Sequence, residues 1–193
     1  YVPKEKTILK LSLSGTVGEQ TAEDNPLAML LGGDEPLSLS LTDIKKAIQT
    51  AKEDAHIEGI YLSSGLLSAG SASLLEIRQA LADFKQSGKF IVAYADNFSQ
   101  GNYYVCSVAD EVYMNPQGVL NLRGLASTTP FYKGLLRKIG VEMMIFKVGT
   151  YKGAVEPFML DHLSEANREQ INSYLSSIWG IFRAGISESR GVK

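Results

Sequence analysis

From Thr7 to Leu13 apolar and polar side chains alternate, the two-residue period of a strand with one buried face, and Gly15 ends the run. A helical period replaces it at Ile44, Ala47, Ile48 and Ala51, with Thr42 as the expected N-cap. Gly59 to Leu62 reads as a short strand and Ser63 to Gly70 as a Gly/Ser loop. The next helix opens on Ser73-Leu74-Leu75-Glu76, a capping-box pattern. It buries Leu74, Ile77, Leu81 and Phe84, and Gly88 stops it. Phe90 to Ala95 is apolar throughout, as in a strand covered on both faces. A short helix is expected from Gly101 to Ala109. Two short strands follow, Glu111 to Met114 and Val119 to Leu122, around the turn Asn115-Pro116-Gln117-Gly118. Pro130 opens a helix that reaches Ile139 and is closed by Gly140, and Val141 to Val148 is a further strand. Ser164 caps a long last helix with Ile171, Leu175, Ile178 and Phe182 along one side.

Strands that alternate with helices pair in parallel through right-handed crossovers, so the fold class is α/β with a mostly parallel sheet. The recurring order of strand, strand and helix points to a spiral of such units rather than a Rossmann sheet, built as one domain over residues 1–193. Residues 19–36 are rich in acid, Gly and Pro and read as a mobile surface loop. Gly32-Gly33 does not stand at the mouth of a helix behind a strand, as a phosphate-binding loop requires.

Composition narrows the chemistry. With 193 residues the chain is long enough to bury a substantial core. Its net charge of −2, with both signs interspersed and no dense Lys/Arg run, argues against nucleic acid as a partner. Cys106 is the single cysteine and lies in Tyr103-Tyr104-Val105-Cys106, the setting of a small buried hydrophobe rather than a reactive thiol. No apolar run approaches the roughly 18 residues of a membrane-spanning helix. Neither terminus has a tidy layout, the first residues lack the pattern of a signal peptide, and the sequence reads as a piece of a longer polypeptide.

The obvious catalytic residue types assemble poorly. His56 precedes a strand and His162 follows Asp161 in a polar turn, with no Gly-x-Ser-x-Gly elbow to supply a nucleophile. Asp161, His162 and Glu165 lack a third fixed ligand and read as a solvated helix cap, so no metal or cofactor is expected. Lys152 differs: it follows a strand and sits between Tyr151 and Gly153-Ala154-Val155. A lysine held among such residues is desolvated, which favours its neutral form. To act as a general base near pH 7 a lysine must fall about three units, equivalent to about 4 kcal/mol, which burial can supply. Taken by composition alone, a loop lysine is more often simply solvated.

The block Gly149-Thr150-Tyr151-Lys152-Gly153-Ala154-Val155-Glu156-Pro157-Phe158 resembles the lysine motif of the signal peptide peptidase A (protease IV) family in its long two-domain form. Asn97-Phe98-Ser99-Gln100-Gly101-Asn102-Tyr103-Tyr104, Ala109-Asp110-Glu111 and Asn115-Pro116-Gln117-Gly118 extend the likeness over nearly the whole chain. The resemblance implies a Clp/crotonase-like α/β spiral and a serine–lysine endopeptidase that degrades cleaved signal peptides without metal or cofactor. It implies that Lys152 is the general base and that the nucleophilic serine lies in an absent C-terminal half. It further implies a homo-oligomer, tetrameric in the long form, anchored ahead of Tyr1 in the bacterial inner membrane and facing the periplasm.

Short members of the family keep the nucleophile near Ser99. Aligning Gly101 and Tyr103-Tyr104 with their block puts Gln100 at the serine position, leaving Ser99 one residue early. The loop from Ser63 to Gly70 stands where related domains have Gly-rich backbone near substrate, but Leu66 and Leu67 depart from that pattern. Two rival readings are a crotonase-like acyl-CoA enzyme, which would bind CoA, and a non-catalytic assembly module in which Lys152 is merely packed or paired.

Overall fold

The computed structural model describes residues 4–19, 38–146 and 148–192. Apart from Glu19, the expected surface loop at 19–36 lies outside the described residues. The chain forms two compact units: residues 1–123 with 182–193, and residues 124–181.

Unit 1 is built on a five-stranded sheet in the order β2-β1-β3-β4-β5, parallel at every pairing. The α/β class with a parallel sheet read from the alternation of elements is therefore what the molecule has. β1 spans Thr7–Gly18 and pairs with both β2, Ser38–Ser40, and β3, Ile57–Ser68. β4, Phe90–Ala95, sits between β3 and β5, Glu111–Met114. Leu13, Ile60, Leu62, Ile91 and Ala93 are fully buried and form the centre of the core.

Both long strands outrun their apolar signals. The Gly/Ser stretch after Leu62 continues β3, because Ser63, Ser64, Leu67 and Ser68 pair in register with Ser12, Leu13, Gly15 and Thr16. Backbone hydrogen bonding to β1 makes this strand, whatever the side chains prefer.

α1, Leu41–Glu53, turns Leu41, Ile44, Ile48 and Ala51 inward. Its cap is Ser40 rather than Thr42: Ser40 Oγ accepts from Asp43 N at 3.1 Å, whereas the Thr42 hydroxyl donates to Glu19 O at 3.0 Å. The other end of α1 is closed from outside. Lys89 Nζ donates to the carbonyls of Ala51, Lys52 and Asp54 at 2.7, 3.0 and 2.7 Å, a cation on the orphaned C-terminal groups. α2, Ser71–Lys85, starts two residues ahead of the expected capping box, with Gly70 at its head and no side-chain cap. Glu76 instead pairs with Lys45 of α1, and Lys52 pairs with Asp83 at 2.7 Å. Leu74, Ile77, Leu81 and Phe84 are buried as the periodicity predicts.

α3, Gln100–Cys106, buries Tyr104, Val105 and Cys106. Burial pushes the Cys106 thiol up to about 12, partly offset by the Ser64 hydroxyl, which fits the inert role read from its apolar setting. Arg78 ties this layer to the end of the chain. It donates to Tyr104 O, Ser107 Oγ, Gly185 O and Ser189 Oγ, and its guanidinium lies 4.9 Å from the centre of the Tyr104 ring. Tyr104 in turn packs on Phe182, with ring centres 4.5 Å apart.

Unit 2 holds α4, Lys133–Lys138, a 3-10 turn at Gly153–Val155, α5, Glu156–Met159, and the first part of α6, Glu165–Arg190. α4 begins three residues after Pro130, and Gly140, with φ +74°, follows its end. Two expected strands do not form as such. The strand Val119 to Leu122 shrinks to one bridge between Phe98 and Leu120. Residues 141–146 and 148 belong to no strand, although their pattern is strand-like. An alternating sequence licenses a strand only where a neighbouring edge can accept its hydrogen bonds.

Candidate active site

In unit 1 the chemistry-bearing residues gather along the C-terminal part of β3 and beyond the carboxyl end of β4, near the usual place for a ligand on a parallel sheet. Ser64, Gly65, Leu66, Asn97, Ser99 and Asn102 help to line a cavity of about 380 Å³ there. Val119 and Asn121, which also line it, follow the turn Asn115-Pro116-Gln117-Gly118. Gln117 N donates to Asn115 Oδ1 at 2.9 Å and Gly118 N to Asn115 O at 2.8 Å. Glycine is required at 118 because a Cβ would stand 1.9 Å from Asp96 O. Val119 N then donates to Asn97 Oδ1 at 2.9 Å, and Phe98 and Val119–Asn121 exchange backbone bonds.

Ser99 is half-buried at this cavity, but its hydroxyl is the N-cap of α3, accepting from Asn102 N at 3.3 Å. Asn102 is 1% exposed and donates through Nδ2 to Gly65 O. Among the described residues, Asn102 Oδ1 finds no hydrogen-bond partner. His56 cannot serve Ser99. It stands just before β3, eight residues and roughly 26 Å along the strand from Ser64. Its ring Nδ1 lies 2.8 Å from Asp54 Oδ1, and the His56 N–H also holds that carboxyl, which is shifted below the usual range.

Lys152 belongs to unit 2. Gly149, with φ +96°, starts the bend that presents it. Lys152 itself has φ −80° and ψ +69°, and Gly153 N donates to Tyr151 O at 3.0 Å, the geometry of an inverse γ-turn. The turn leaves the lysine exposed, so the desolvation suggested by its neighbours is not provided by the described residues of this chain. Tyr151 is more than half exposed and Ala154 is exposed as well.

What the sequence reading missed is the residue four positions on. Glu156 is 1% exposed. It accepts from Ser164 N at 3.1 Å and Ser164 Oγ at 2.6 Å, and from Asn167 Nδ2 at 3.0 Å. Ser164 Oγ also caps α6, accepting from Asn167 N at 3.2 Å, as the sequence predicts. The signal was one acid inside Gly153-Ala154-Val155-Glu156-Pro157-Phe158, where a solvated acid is the easier reading. Asp161 and His162 are exposed, and Asp161 lies 3.6 Å from Lys133. Among the described residues no group of three acid, histidine or cysteine side chains is placed to hold a metal ion.

Residues 83–193 match the peptidase family S49, more than half of the chain. This chain belongs to peptidase family S49. The match spans the part of the cavity lining from Asp96 onward, the Asn-Pro-Gln-Gly turn and the whole Lys152 segment, and leaves out β1 to β3 with their cavity residues Ser64, Gly65 and Leu66. Among the family's curated members, Protease 4 of Haemophilus influenzae is 36% identical over 190 residues, covering 96% of this chain and 31% of that protein. Protease 4 of Salmonella typhi is 36% identical over 191 residues, covering 95% and 31%. The chloroplastic serine protease SPPA of Arabidopsis thaliana is 32% identical over 155 residues, covering 80% and 23%. The chain thus spans less than a third of the length of each of these relatives. A solved enoyl-CoA hydratase from Geobacillus kaustophilus aligns with a TM-score of 0.38 at 14% identity, over 97% of this chain and 79% of that one.

Proposed function

We propose that this chain is the lysine-bearing part of a serine–lysine endopeptidase that degrades cleaved signal peptides, with Lys152 as the general base. The observation that carries the reading is Lys152 itself: an exposed ammonium on a fixed γ-turn in a chain of the S49 family. Exposure suits a base whose nucleophile comes from elsewhere. The parent's remaining residues supply the serine, donors for the oxyanion and the apolar cover that lets a lysine lose its proton. Lys152 then takes the serine proton as the hydroxyl attacks the scissile carbonyl, and returns it to the leaving amine.

Ser99 has no part in this reading, because its hydroxyl closes the first turn of α3. The parent is proposed to work as a homo-oligomer, a tetramer in the long form, anchored in the bacterial inner membrane with its catalytic part in the periplasm. The described residues contain no helix long and apolar enough to cross a membrane.

The test is hydrolysis of a fluorogenic signal-peptide-like substrate by the full-length parent and its Lys152→Ala variant, with this chain alone beside them. General-base assistance is worth about 10²- to 10⁴-fold, so the folded variant loses at least the lower figure and the chain alone is silent. A variant at near-full rate would return Lys152 to the role of a solvated or packed lysine in an assembly module. Activity in the chain alone would move the nucleophile into it.

A further inference from the structure

We propose that Glu156, Ser164 and Asn167 form the positioning device for Lys152, an inference that rests on Lys152 being the base. Among the described residues of unit 2, Glu156 is the one buried side chain, while large apolar residues of the same unit stay exposed. Burying a carboxylate is costly unless its oxygens are hydrogen-bonded, so a unit that leaves Met144 and Phe146 in solvent does not bury Glu156 for packing. The three bonds from Ser164 and Asn167 fix it at the start of α6.

The same Asn167 side chain reaches the other end of the turn. A Cβ on Gly153 would stand 2.5 Å from Asn167 Cγ, Oδ1 and Nδ2, so the amide lies directly against the Gly153 backbone. Gly153 and Glu156 bracket one 3-10 turn, and Lys152 immediately precedes it. The Gly153 end of the short segment that launches Lys152 is thereby seated on Asn167, and the Glu156 end on Asn167 together with Ser164, the cap of the long helix. Leu160 N donates to Glu156 O at 2.8 Å and Tyr132 N to Pro157 O at 2.7 Å, so the chain beyond the turn is held as well. A base on a four-carbon stem must meet a hydroxyl within about 3 Å, and this seat sets where the stem begins. Loosening it costs rate at a given substrate occupancy, because the cluster seats the backbone beside the base, at Gly153 and Glu156.

The experiment measures kcat and KM separately in the full-length protein for Asn167→Ala and Glu156→Gln, alone and on a Lys152→Ala background. Alanine at 167 is a good helix former, so α6 keeps its first turn. Glu156→Gln keeps the shape and removes the charge. Each single change is expected to lower kcat about ten- to a hundredfold, as displacement of a reacting group by about 1 Å does, with KM within about twofold. On the Lys152→Ala background neither lowers the residual rate further. If Lys152→Ala is inactive while Asn167→Ala runs at full rate, the positioning inference fails and the base assignment stands. An equal loss with and without Lys152, or a kcat loss that follows a fall in Tm, makes the cluster purely structural and also overturns it. Near-full activity in Lys152→Ala sinks the base assignment first, and the inference with it.

Discussion

The two units bury opposite things. In unit 1 the interior is apolar: Leu13, Ile60, Leu62, Ile77, Leu81, Phe84 and Ile91 are all 0% exposed. In unit 2 large apolar side chains are outside, with Met144 at 84%, Phe146 at 88% and Val148 at 86% exposed, while among its described residues the buried one is the acid Glu156. Unit 1 draws its stability from a sheet and helices that cover one another within the chain, the usual route to a core. Unit 2 carries apolar surface that its own described residues do not bury, and organises its backbone with polar bonds around one turn. Burial in the first unit explains a fold, and burial in the second explains the placing of a side chain. On the proposed function the exposed apolar residues of unit 2 are covered in the parent, by its remaining residues or by further copies.

The largest effect expected from breaking unit 1 alone is at Arg78. Its guanidinium bonds Tyr104, Ser107, Gly185 and Ser189, joining α2, α3 and the end of α6 within that unit. Arg78→Ala orphans several buried acceptors at once, at about 1–3 kcal/mol for each that finds no other partner. Urea unfolding should register a loss of about 3 kcal/mol. A loss below about 1 kcal/mol would show that water replaces the guanidinium freely and that the staple is ornamental.

A smaller effect sharpens the account of unit 2. If Met144 and Phe146 mark a face that is covered in the parent, this chain by itself should self-associate, and light scattering should give a mass above the 21.0 kDa of one chain as concentration rises. The double change Met144→Ser and Phe146→Ser should restore the monomer without altering the melting of unit 1. A wild-type chain that stays monomeric at high concentration would mean that these side chains are tolerated in water.

The extent to which all this was readable follows from where burial is decided. Ile44, Ile48, Leu74, Ile77, Leu81 and Phe84 announce their helices by spacing, and their burial matches it. Element ends were harder, because Ser40 and Thr42 are equally good caps on paper and only the entering backbone distinguishes them. The second half of β3 was invisible because Ser63-Ser64-Gly65 has no strand preference and is held by pairing with β1. Residues 141–146 and 148 were read as strand for the converse reason: they have the pattern but pair with no strand among the described residues. Cys106 was legible from apolar neighbours, and composition alone favoured a solvated Lys152, which is what the structure has; the desolvation its neighbours suggested is missing because Tyr151 and Ala154 are exposed themselves. Glu156 escaped because its donors lie eight and eleven residues on, across a chain reversal.

The smallest expected effect concerns the acid side of unit 1 and separates its electrostatic ties from its apolar core. Burial raises the Asp110 carboxyl, but the Lys85 ammonium at 2.8 Å and the Ile91 N–H at 2.8 Å outweigh it, so the group ionises below its ordinary value of 3.8. A carboxylate depressed in the folded state adds stability above its unfolded value and loses it as pH falls through the folded one. The contribution is therefore complete at pH 7, starts to fade as the pH approaches the ordinary value of 3.8 and is lost as it falls through the lower folded one. Asp54, held low by the His56 N–H and ring, follows the same sign. Asp110→Asn should leave the core intact, lower the urea midpoint slightly at pH 7, and flatten the decline of that midpoint between pH 5 and pH 3. Both ion-pair partners are a third or more exposed, so the effect at pH 7 is expected to be smaller than that of Arg78→Ala. An acid limb of unchanged steepness in the variant would place the acid sensitivity in other carboxylates, and would leave the apolar core as the dominant tie between α2, β4 and β5.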